Sequence, residues 1–115
     1  MFDFEKLEVY QVARNLNRDV LKYLLSDSQM DGSVKDRWKH SSMNTVLLLA
    51  EGVGKMTDAD KRASFTSARS AVYECVSLLH LASDLSMIDG ATFKDLYDRY
   101  EQLSKMLLGM YRSKT

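Results

Sequence analysis

Three groups of residues in this chain have types and spacings that could do chemistry. The first is LLLAEGVGK, residues 47–55, where two glycines and a lysine follow an apolar run and look like part of a phosphate-binding loop. Such a loop reads G-x-x-x-x-G-K-[ST] between a strand and a helix, because its backbone N–H groups wrap the phosphates and its hydroxyl holds magnesium. Here Leu49 stands at the first glycine position, Met56 replaces the hydroxyl, and no strand pattern precedes. The stretch therefore reads as a helix C-terminus, with Gly52 or Gly54 in the left-handed conformation and Lys55 facing the negative helix end.

The second group is a pair of carboxylates, Glu51 and Glu74, each interrupting an apolar run. Two inward carboxylates on neighbouring helices could hold a metal, but di-metal bundles use Glu-x-x-His pairs. Arg37 and Ser77 stand three residues before His40 and His80. A structural role, with the carboxylates paired to Arg69, Lys55 or a helix N-terminus, is the simpler expectation. No metal or cofactor is expected, and a ligand- or metal-binding bundle centred on Glu51 and Glu74 is the alternative. The third group is KDRWKH, residues 35–40, in which Lys35, Arg37, Lys39 and His40 surround Trp38. Cations beside an aromatic could grip a nucleic-acid backbone and stack a base, although a solvated helix face with Trp38 buried fits the pattern better. Cys75 lies between Val72 and Leu79 on an apolar stripe and reads as a small buried hydrophobe.

The elements that must position these residues are helices. The chain has no proline, and its five glycines fall near breaks in the hydrophobic period. A first helix is predicted over residues 3–25, with Val9, Ala13, Leu16, Val20 and Leu24 on one stripe. A second runs over 33–51 with Ser33 as its cap, and carries Val34, Trp38, Thr45, Leu48 and Leu49. Thr57 caps a third over 57–86, in which Phe65, Ala68, Val72, Cys75, Leu79 and Ala82 form a heptad seam. The fourth, 90–112, repeats that rhythm through Phe93, Leu96, Tyr100, Leu103, Leu107 and Met110. Short connections force antiparallel neighbours, so the expected fold is an all-α, left-handed, up-down-up-down four-helix bundle in a single domain. Phe2, Phe4, Tyr10, Tyr23, Leu47, Leu78, Leu81 and Tyr97 lie off the main stripes, which suggests a homo-oligomer that buries second faces.

Sixteen basic residues balance sixteen acidic ones, so no net field draws the molecule to nucleic acid or an anionic membrane. One cysteine excludes an internal disulfide framework, and no secretory signal is evident. No apolar run approaches the length of a membrane span, roughly 20 residues. A cytoplasmic location without membrane contact is the expectation.

LEVYQVA at 7–13, LLLAEGVGK at 47–55 and FTSARSAVYE at 65–74 resemble, in order and spacing, three blocks of a bacterial four-helix-bundle family. That family is known as the proteins encoded in intervening sequences of large-subunit ribosomal RNA genes. Ala50, Glu51, Gly52, Gly54 and Lys55 fall on its A-E-G-x-G-R positions, and Phe65, Ala68, Ala71 and Glu74 follow its later block. Lys39 and His40 replace its arginine pair, Val46 its helix-interior proline, Leu48 its asparagine and Ser70 a glycine. The family is similar to the accessory protein of diversity-generating retroelements, a ring-like homopentamer that works with a reverse transcriptase and its RNA. The resemblance implies a non-enzymatic, self-assembling scaffold, a pentamer, with RNA or a nucleic-acid enzyme such as a reverse transcriptase as partner. Lys35, Arg37, Lys39, His40 and Lys55 are the candidate nucleic-acid contacts, and Glu51, Arg69 and Glu74 a candidate structural polar cluster.

Overall fold

A computed structural model describes residues 1–26 and 29–114; Asp27 and Ser28, in the SDSQMDGS turn, and Thr115 lie outside it. A short 3-10 turn, Asp3–Lys6, is followed by four α-helices: α1 (Glu8–Ser26), α2 (Gly32–Gly54), α3 (Asp58–Asp84) and α4 (Gly90–Arg112). Among the described residues there are no strands. Contacts between helices fix their order around the bundle. Asn17 meets Ser42, Arg37 meets Glu74, Arg69 meets Ser104, and Asp19 meets Arg99. Each helix therefore touches the next and α4 closes back on α1. The long dimension of 43 Å matches the 27-residue α3, since a helix rises about 1.5 Å per residue.

The predicted stripes are the core. Ala13, Leu16, Val20 and Leu24 from α1, Phe65, Ala68, Val72, Cys75 and Leu79 from α3, and Tyr100, Leu103 and Leu107 from α4 are all buried. From α2 come Trp38 and Leu49, with Val34 and Leu48 half-buried against the same cluster. Of the off-stripe residues, Leu78 is buried, and Tyr10, Tyr23 and Tyr97 are half-buried against the core; Phe2, Leu47 and Leu81 remain exposed.

Element boundaries differ from the sequence expectation in three places. The first helix breaks at Leu7, which is extended, because the Glu5 carboxylate accepts the Phe2 N–H at 3.1 Å and closes a tight turn. The stacked Phe2–Phe4 pair and the Phe4–Tyr10 edge contact fold this arm onto α1. Asp31, not Ser33, caps α2, since its carboxylate accepts from the backbone N–H groups of Ser33 and Val34 at 2.9 Å and 3.2 Å. The helix then runs past Glu51 to Gly54, with neither Gly52 nor Gly54 at positive φ. Its negative end is met by Lys61, whose ammonium donates to Val53 O at 2.6 Å, while Lys55 is the extended residue that follows. Thr57 caps α3 as expected, accepting from Asp60 N at 3.1 Å.

Candidate functional site

A ladder of hydroxyl and amide groups crosses the α2 side of the core. Asn17 donates to Ala13 O at 2.7 Å and accepts from the Ser42 hydroxyl at 2.6 Å. Thr45 donates to Ser41 O, and the Ser41 hydroxyl reaches Glu74 Oε2 at 2.6 Å. Deeper in, Trp38 Nε1 donates to the Tyr100 hydroxyl at 3.0 Å, and the Cys75 thiol is buried in the same layer. Burial pushes the Cys75 thiol up to about 12 and the Tyr100 phenol well above its usual range. A thiol so rarely ionised is not a nucleophile, so this layer fixes the packing of α2, α3 and α4.

Glu74 does not point inward. It lies on the α2–α3 seam, where its other oxygen takes Arg37 Nη2 at 2.8 Å. The Ser41 hydroxyl, and after it the Arg37 guanidinium, hold its carboxyl below the ordinary range against the opposing effect of burial. Glu51 is exposed near the far end of α2 and makes no ion pair among the described residues. Ser41 lies at the level of Glu74. Glu51 is farther along the α2 axis than Ser41 by about 15 Å, so the two carboxylates cannot chelate one ion. Arg69 joins neither. Its Nε donates to Ser104 O at 3.3 Å and its guanidinium lies 4.9 Å from the centre of the Tyr73 ring. Glu51 thus stands apart from the expected cluster, and Arg69 and Glu74, though both border the α3–α4 side, are each bonded to other partners.

The basic set is dispersed too. Trp38 is wholly buried and cannot stack on a base. Arg37 is held by Glu74, Lys39 lies 3.5 Å from Asp36, His40 receives Asn44 at 3.1 Å, and half-buried Lys35 is also engaged. Lys55 follows the last turn of α2, five turns on from Arg37, a separation of about 27 Å.

Two surface grooves, on opposite sides of the bundle, were not singled out by sequence pattern. One lies between α3 and α4 and is bordered by Phe65, Arg69, Tyr73, Glu74, Leu108 and Tyr111, with Tyr73 57% exposed. The other lies between α1 and α2, where Leu21, Leu25, Met43, Val46 and Leu47 form the apolar part and Arg14, Arg18 and Lys22 the rim. A four-residue repeat of cations at 14, 18 and 22 is the signal that could have found it.

The family model for the 23S rRNA-intervening sequence protein matches residues 5–109, from the 3-10 turn into the last turns of α4. The chain belongs to that family. No curated protein matches it.

Proposed function

We propose that this member of the 23S rRNA-intervening sequence protein family is a non-enzymatic scaffold that assembles with copies of itself through its α3–α4 face. The observation that carries the reading is Tyr73, a large aromatic left 57% exposed with a guanidinium over its ring. Tyrosine and arginine side by side in an open groove have the composition of interface hot spots. Arg69 and Lys105 offset Glu74 and Glu101 along this face, so a second copy meets no net repulsion there. Five copies, the number that similarity to the retroelement accessory protein suggests, form a head-to-tail ring in which this face meets a different face of the next copy, and a reverse transcriptase or its RNA is the partner class that similarity carries. Burial of Trp38 and the occupied state of Arg37 and Lys39 weigh against RNA contact through α2 and favour a protein partner.

Light scattering on a sizing column tests the assembly. A mass of several chains is expected, falling to one chain when Tyr73 and Tyr111 are both changed to alanine with helicity unchanged. A monomer at every concentration would overturn the reading. Adding structured RNA at low salt extends the test: co-elution lost as salt rises, and lost in a Lys35→Ala/Arg37→Ala/Lys39→Ala variant, would return nucleic acid to α2.

A further inference from the structure

We propose that the α1–α2 groove is a docking site for an acidic amphipathic helix of a partner protein, on the side of the bundle away from the assembly face. Three exposed apolar side chains mark it: Leu25 at 71%, Leu47 at 53% and Met43 at 51% exposure. They lie beside one row of cations from α1. Arg14, Arg18 and Lys22 repeat every four residues and so share a helix face, and among the described residues no acidic side chain lines the groove. Arg14 and Lys22 make no ion pair among the described residues, and Arg18 is drawn to Asp19 at 3.0 Å.

Length and chemistry select the occupant. The groove follows α1 from Arg14 to Leu25, a distance of about 17 Å, or three helical turns. A helix laid there presents apolar residues at i, i+3, i+4 and i+7 to Leu25, Met43 and Leu47, and acidic residues along one edge to the cation row. Nucleic acid fits poorly, because the apolar part offers neither an aromatic ring to stack on nor a hydrogen-bonding group to read a base. Among the described residues the one polar side chain within it, Asn17, already spends its amide on Ala13 O and the Ser42 hydroxyl. A second copy docked groove to groove would set the three cations of each chain against their like across a two-fold axis, and the α3–α4 face of a neighbour, where Arg69 and Lys105 offset Glu74 and Glu101, brings no net acidic charge to the cation row.

Fluorescence anisotropy with the full-length protein and a labelled synthetic peptide tests this. The probe is about 15 residues long, with leucines at the helical spacing above and glutamates beside them. Saturable binding that weakens as salt rises is expected, as is binding at least about tenfold weaker for the same peptide with lysine in place of glutamate. Leu47→Asp and, separately, Arg14→Ala with Lys22→Ala should each weaken binding of the acidic peptide, with circular dichroism unchanged. Equal binding of the two peptides, or wild-type binding in both variants, would overturn the proposal. So would an RNA oligonucleotide or a phosphatidylserine vesicle whose binding is abolished by Leu47→Asp, or a fall in oligomer mass in that variant, since each would give the groove a different occupant. Because Tyr73 and Tyr111 lie on the other side, loss of self-assembly in their variant leaves this test intact.

Discussion

Gly52 is the residue on which the approach of α2 to α3 depends. A Cβ built there would sit 2.7 Å from the Phe65 ring and 2.9 Å from Ser64 Cβ, closer than packed carbons come, whereas one on Gly54 meets nothing within 4 Å. Both glycines are helical, so the two positions separate contact from conformation. Gly52→Ala is expected to cost about 1–3 kcal/mol through forced repacking of Phe65. Gly54→Ala is expected to gain up to about 1 kcal/mol from the better helix former, less what fraying at the last turn removes. Urea unfolding of the two variants checks this, and loss of stability at Gly54 with none at Gly52 would reverse the assignment. Both glycines could be placed near a helix end from sequence, but not which one makes a contact, because that depends on the side chain opposite. The same applies to Glu51 and Glu74: their spacing shows where they interrupt the apolar pattern, and only the neighbouring helix decides that Glu74 meets Arg37 and Ser41.

At the end of α3 the chain leaves the helix through a backbone loop in which Met87 N–H donates to Ala82 O at 2.8 Å. This closure requires a left-handed residue one position before Met87. Ser86 supplies it with φ 58°. Glycine adopts that conformation without the Cβ clash that serine carries. Ser86→Gly should therefore raise stability by up to about 1 kcal/mol, seen as a higher urea midpoint at unchanged slope. A lower midpoint would mean that the serine side chain contributes more than its backbone strain costs. Helix positions were legible because stripes at Val9–Leu24, Phe65–Ala82 and Leu96–Leu107 depend only on period, and each became core. Ends were less legible, since Asp31 and Ser33 are both competent caps and geometry chose the carboxylate that reaches two N–H groups. The N-terminal break had no helix-breaking residue to announce it; it comes from the Glu5 side chain closing back on Phe2.

Across the whole molecule, two carboxylates tie seams on different sides of the bundle. Asp19 on α1 takes Arg99 of α4 at 3.0 Å, and Glu74 on α3 takes Arg37 and Ser41 of α2. Both carboxyls are held below their ordinary range, Asp19 first by its bond from Arg18 and then, against some burial, by Arg99. A carboxylate whose folded value is depressed adds stability that is complete above the unfolded value, about 4. That contribution fades as pH falls through the unfolded value toward the folded one. The Asp19 and Glu74 side chains are 40% and 45% exposed. Solvent therefore screens both ties, and each is worth no more than about 1 kcal/mol. An Asp19→Asn/Glu74→Gln variant should be slightly less stable than the parent at pH 7, and the gap should close toward pH 3. It should also shrink in part when salt is added at pH 7, because the ties to Arg99 and Arg37 are screened ion pairs while the Ser41 hydroxyl bond to Glu74 is not. Urea midpoints at the two pH values decide the matter. A gap that stays constant would mean that the amides disturb packing at the seams, and that the acid sensitivity of the bundle lies in other carboxylates.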